Sequence, residues 1–185
     1  MNYGRTNVAG PRIAACLLAS LATAWSAAAQ GTPITLLGYH ATPPANWVAR
    51  TPTSSMRLAM FTVPPDVNGE ATEVVVFFFG ASQGGDVAAN TARWRDQFTN
   101  PGAPAPVERV ARDSIGAFPI TIAEYEGSYR RGVGAGSADS VRANQGLTAA
   151  MVQTPRGTLF VQLFGPVARV RAERERFVAF ARGIR

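Results

Sequence analysis

The chain has no lysine, one histidine and one cysteine; all 18 of its basic residues are arginines, set against 12 acids in 185 residues. Each shortage removes a class of chemistry. Without lysine there is no side-chain amine to stand in for histidine as the base that activates a nucleophile. His40 and Cys16 alone are too few ligands for a zinc site, and no cluster of carboxylates has calcium-loop spacing. Arginine used to the complete exclusion of lysine points to compositional bias, so it is not by itself a sign of phosphate recognition. Long apolar runs are scarce as well. The one hydrophobic stretch, near the N-terminus, is shorter than the roughly 20 residues a transmembrane helix needs, which excludes a polytopic membrane protein.

What is present begins with an address. Residues 1–12 carry Arg5 and Arg12 and no acid, and Ile13 to Trp25 is a run of small and apolar residues. Ser26-Ala27-Ala28-Ala29 follows, with small residues where a signal peptidase reads. This order is that of a secretory signal peptide over residues 1–29, and it implies export to the periplasm or beyond in a bacterium. Ile13-Ala14-Ala15-Cys16 is similar to a lipobox, but the apolar stretch follows the cysteine instead of preceding it. Cleavage after Ala29 would remove Cys16, so the exported chain would form no disulfide and would depend on packing alone.

Beyond the leader the charge is uneven. Residues 30–166 are balanced, whereas 167–185 hold Arg169, Arg171, Arg174, Arg176, Arg182 and Arg185 against Glu173 and Glu175. Two readings suit this segment. One is a solvated helix face with Arg169–Glu173 and Arg171–Glu175 pairs. The other is weak contact with an anionic membrane surface or envelope polymer through Arg169, Arg171, Arg174 and Arg176. Nucleic acid is not an expected partner, because no basic stripe is interleaved with aromatics.

Residues 30–52 form a Pro/Thr-rich segment expected to wrap loosely onto the fold, anchored by Trp47, and 53–185 read as a single domain. Met56 to Val63 is a strand stopped by Pro64-Pro65, and Asn68-Gly69 is a hairpin signal. Glu73 to Phe79 is apolar on both sides, so a central strand covered on both faces is expected. Asp86 caps a helix to about Phe98 with Trp94 in the core. Asn100 to Val107 reads as a loop. Phe118 to Tyr129 is a strand with Gly127 marking a bulge and Glu124 and Glu126 on a polar face, paired with Arg130 and Arg131. Arg130 to Asn144 looks mobile. Leu147–Gln153 and Thr158–Phe164 flank a Thr154-Pro155-Arg156-Gly157 turn, and Val167 to Ile184 is the last helix, burying Val170, Phe177, Ala181 and Ile184.

These elements describe an α+β fold, a mainly antiparallel sheet covered by two helices. Val74–Phe98 and Leu147–Pro166 resemble segments of uncharacterised exported bacterial proteins, and the element order is similar to the PsbP-like sandwich. That resemblance implies a binding or assembly role and carries no catalytic residue or cofactor with it.

Gly80-Ala81-Ser82-Gln83-Gly84 matches the G-x-S-x-G turn of a serine hydrolase, between an apolar strand and a helix. The base is missing: His40 lies upstream of Ser82, where hydrolases of that fold place theirs downstream, and it is expected to be exposed and idle. The plainer reading is that the glycines let the chain turn sharply. A middle reading makes Ser82, Gln83, Gly84 and Gly85 a loop that holds a small anion at the helix start. Gly132-Val133-Gly134-Ala135-Gly136 lacks the flanking strand and helix of a dinucleotide loop. The leading expectation is a non-enzymatic domain that binds a protein or envelope component, without metal or cofactor. Serine hydrolysis and anion binding are the alternatives.

Overall fold

The computed structural model describes Met1 and residues 30–67, 69–100, 105–130 and 141–185. Apart from Met1, the expected leader lies outside the described residues, as do Asn68, Arg131 and the glycines at 132, 134 and 136.

Two short strands, β1 (Ile34–Leu36) and β2 (Tyr39–Ala41), make a hairpin of their own. The main sheet begins with β3 (Val48–Arg50), β4 (Arg57–Thr62) and β5 (Glu73–Phe77). Helix α1 (Val87–Asp96) follows, then β6 (Phe98–Thr99), β7 (Val107–Ile115), β8 (Phe118–Arg130), β9 (Val141–Thr154), β10 (Gly157–Pro166) and helix α2 (Val167–Arg182). Across the sheet the order is β3-β4-β5-β10-β9-β8-β6, with β7 also on β8, and every neighbouring pair is antiparallel.

The valines of β5 are buried on both faces, which its unbroken apolar run required. One face forms a core with α2: Val74, Val76, Val161, Leu163, Val170 and Phe177 belong to a single buried cluster. The other face forms a smaller core with α1, in which Trp94 joins Phe98, Tyr125, Met151 and Phe160. Asp86 caps α1 by accepting the Ala89 N–H at 2.7 Å. Phe98, expected to end that helix, instead opens β6.

The Pro/Thr-rich segment 30–52 is built in rather than loosely attached. Trp47 is 6% exposed, its ring 5.7 Å from that of Phe61 and 5.2 Å from that of Phe180. His40 and Arg185 exchange two backbone hydrogen bonds, at 2.8 and 3.1 Å, which fasten this segment to the chain's last residue. The apolar area of Leu36 and Trp47 has no better place to go.

Two further expectations change. Residues 141–144, placed in a mobile stretch, extend β9, because β8 continues far enough to pair with them. Val107, expected to close the Asn100 to Val107 loop, instead opens a nine-residue edge strand that runs to Ile115. The bulge at Gly127 is present, with a register shift between Gly127 and Tyr129. A Cβ on Gly127 would sit 2.9 Å from Asn100 Oδ1, which instead accepts the Ser128 N–H at 3.1 Å.

Phe177 is fully buried in the larger core. Phe177→Ala is expected to cost about 3–5 kcal/mol in urea denaturation, since the sheet beneath cannot collapse into the space.

Candidate functional site

The 80–86 loop is shaped by its glycines. Gly80, Gly84 and Gly85 all have positive φ, at 116°, 95° and 77°. A Cβ on Gly84 would stand 2.7 Å from the Phe160 ring and 2.9 Å from that of Phe79. The loop is therefore pressed onto the smaller core at a point where only glycine fits. Asn90 Nδ2 donates to Gly84 O at 2.7 Å and to Asp86 O at 2.9 Å, closing the loop against the helix. Ser82 and Gln83 are exposed at its tip. His40 is also exposed, its Nδ1 3.4 Å from Thr35 Oγ1, and among the described residues no hydrogen bond joins it to Ser82.

The charged chemistry lies on the opposite side of the sheet. On β8, Ile120, Ile122, Glu124 and Glu126 alternate onto the face beneath α2, so that face passes from aliphatic to acidic along one strand. Both glutamates are buried, at 7% and 8% exposure. Sequence reasoning paired them with Arg130 and Arg131 on a polar face. The described partners are instead Arg171 and Arg174 of α2 and Arg109 of β7. The reason is directional: Arg130 follows the bulge at the exposed end of β8, whereas Arg171 and Arg174 extend to the acids from α2, which packs mainly on the neighbouring β9 and β10.

Arg171 grips Glu126 with both its Nε and an Nη, the Nε bond measuring 2.8 Å. Arg174 places Nε and Nη2 on Glu124 Oε1 at 2.9 and 2.6 Å. Arg109 spans both acids at 3.5 and 3.6 Å. Three guanidiniums thus meet two carboxylates, a net of one positive charge. The hydrogen bond from Arg171, with the charges of Arg171 and Arg109, holds the Glu126 carboxyl below its ordinary range against the opposing effect of burial.

A third buried acid, Glu173, is expected from the sequence only in a surface helical pair. Glu173 is 2% exposed and accepts from Trp47 Nε1 at 3.3 Å, Asn46 Nδ2 at 3.5 Å and Arg176 at 3.1 Å, with Arg169 at 3.7 Å. Arg169 also donates to Pro64 O at 2.7 Å. The expected Arg171–Glu175 pair is not formed, because Glu126 takes Arg171. All four arginines read as a free cationic row therefore face carboxylates within the molecule. Their outer edges are still wetted: the side chains of Arg171, Arg174 and Arg176 are 63%, 46% and 46% exposed.

Beside these pairs lies a cleft of about 50 Å³ between Arg109, Glu124, Glu126, Thr148 and Val170. That is room for a few waters, against roughly 300–1,000 Å³ for a small-molecule pocket. Among the described residues no group of three or more His, Cys, Asp or Glu is placed to hold a metal ion.

No protein-family model matches the chain, and no match is found among curated proteins.

Because the Glu126 carboxyl is depressed in the folded protein, its contribution is complete above the ordinary glutamate value and is lost as pH falls through the depressed one. Urea midpoints are expected to decline below about pH 4. Glu126→Gln should be about 1–3 kcal/mol less stable at neutral pH, with a flatter acid limb. An unchanged acid limb would remove Glu126 from this role.

Proposed function

We propose that this chain is an exported, non-enzymatic α+β domain of PsbP-like sandwich form that binds a protein or envelope component through its surface. The leader-like residues 1–29 support export to the periplasm or beyond. The observation that carries the binding role is the pairing of chemistry and space. The buried carboxylates, the groups best suited to acid–base work, are all engaged by arginines, and the cleft beside Glu124 and Glu126 is too small for a substrate. Recognition then falls to exposed loops and strands.

The hydrolase reading requires a base at Ser82, and among the described residues no hydrogen bond joins the single histidine, His40, to it. As an anion loop it has a competitor already in place, since the Asp86 carboxylate occupies the start of α1.

A fluorophosphonate probe applied to the purified protein distinguishes these roles, together with crosslinking in intact cells. The binding role predicts no Ser82-dependent labelling and a discrete crosslinked complex. Labelling that disappears in Ser82→Ala would overturn it in favour of hydrolysis.

A further inference from the structure

We infer that β7 is a self-complementary docking edge, through which a second copy of this chain adds antiparallel to the sheet. Among the described residues β7 pairs only with β8, so alternate residues turn backbone groups to its outer edge, where the Ser114 N–H already donates to Asp113 Oδ1 at 2.8 Å. Its seven inner residues are all exposed.

The side chains alternate cleanly. Asp113 reaches Arg182 of α2, and Arg109 reaches Glu124 and Glu126 on the α2 face of β8, while Glu108 reaches Arg95 of α1. Glu108, Val110 and Arg112 therefore share the α1 side. Val110 is one of the few exposed large hydrophobic side chains, at 41%. Arg112 makes no ion pair among the described residues.

When a strand pairs with its own copy about a two-fold axis, the charges select the register. Centring on Val110 sets Val110 against Val110 and Glu108 against the second copy's Arg112, twice by symmetry. An axis between Val110 and Ala111 is forbidden by the pleat, since it would oppose Glu108 on the α1 side to Asp113 on the α2 side. Centring on Ala111 brings Arg109 to Asp113 but leaves Arg112 without a carboxylate and sets it against Val110. In the first register Glu108, held by Arg95 in an exposed pair, is shared with Arg112. Only the first register gives Arg112 a carboxylate and covers Val110. Charges on an edge strand ordinarily discourage pairing. Here Glu108 and Arg112 lie two residues either side of Val110, so the register that covers Val110 is also the one in which the edge charges attract. The edge is small as interfaces go, so association in the micromolar range is expected.

Sedimentation of the purified protein over a micromolar concentration series tests this. The wild type should form dimers. Arg112→Glu and Glu108→Arg should each weaken association roughly tenfold or more, the like-charged pair counting twice. An equimolar mixture of the two variants should associate again, because each then presents the other with opposite charge at both positions. Both sites are exposed, so unchanged far-UV circular dichroism is the folding control. A wild type monomeric throughout, dimers that survive in both variants, or a mixture that stays monomeric would each overturn the proposal. A copy-to-copy edge of this kind does not depend on the envelope-binding role.

Discussion

The arrangement rests on carboxylates buried beneath arginines. Glu124, Glu126 and Glu173 are each at most 8% exposed, and each is held by guanidiniums carried on or reaching toward α2. A buried carboxylate without such partners would be strongly destabilising, so the acids and the helix constrain each other. The helix supplies cations where the sheet face turns acidic and aliphatics where it stays apolar. Arg169 stands in the first turn of α2, where the helix dipole disfavours a cation, and Glu173 offsets that placement. Through Trp47 and Asn46 the same glutamate reaches the N-terminal segment, which gives the Pro/Thr-rich stretch a fixed seat.

Much of this architecture was legible where hydrophobic pattern and turn chemistry agreed. The double-sided burial of β5, the Asp86 cap, the Gly127 bulge, the Pro155-Arg156 connection and the apolar stripe of α2 were all written in local spacing. Strand β7 was not, because it is exposed on both faces and so carries no period. Its signal was the turn beyond it: Gly116 with Ala117 makes a two-residue connection between Ile115 and Phe118, at φ 55°. The glutamates illustrate a different limit. Glu124 and Glu126 alternate as a solvated face would, and only knowledge of where α2 crosses could reveal that they are covered.

The same crossing changes the meaning of the C-terminal charge. In sequence, 167–185 is a cationic tail; in three dimensions most of its cations are matched from within. Attraction to an anionic surface would have to use guanidinium edges that already share carboxylates at short range, leaving a small positive excess. On the other side of the sheet, the G-x-S-x-G turn is a fitted corner over Phe79 and Phe160. Among the described residues the molecule offers strand edge and loop tip outward, and this supports the proposed binding role.

A double-mutant cycle on Glu124 and Arg174 tests the carboxylate–guanidinium account most directly. Glu124→Gln, Arg174→Gln and the double variant would be compared with the wild type by urea denaturation at neutral pH. The account predicts a coupling of at least ~1 kcal/mol, the range found for buried, directly bonded pairs. Strictly additive effects, within ~0.3 kcal/mol, would show that α2 docks by its apolar stripe alone and would contradict it.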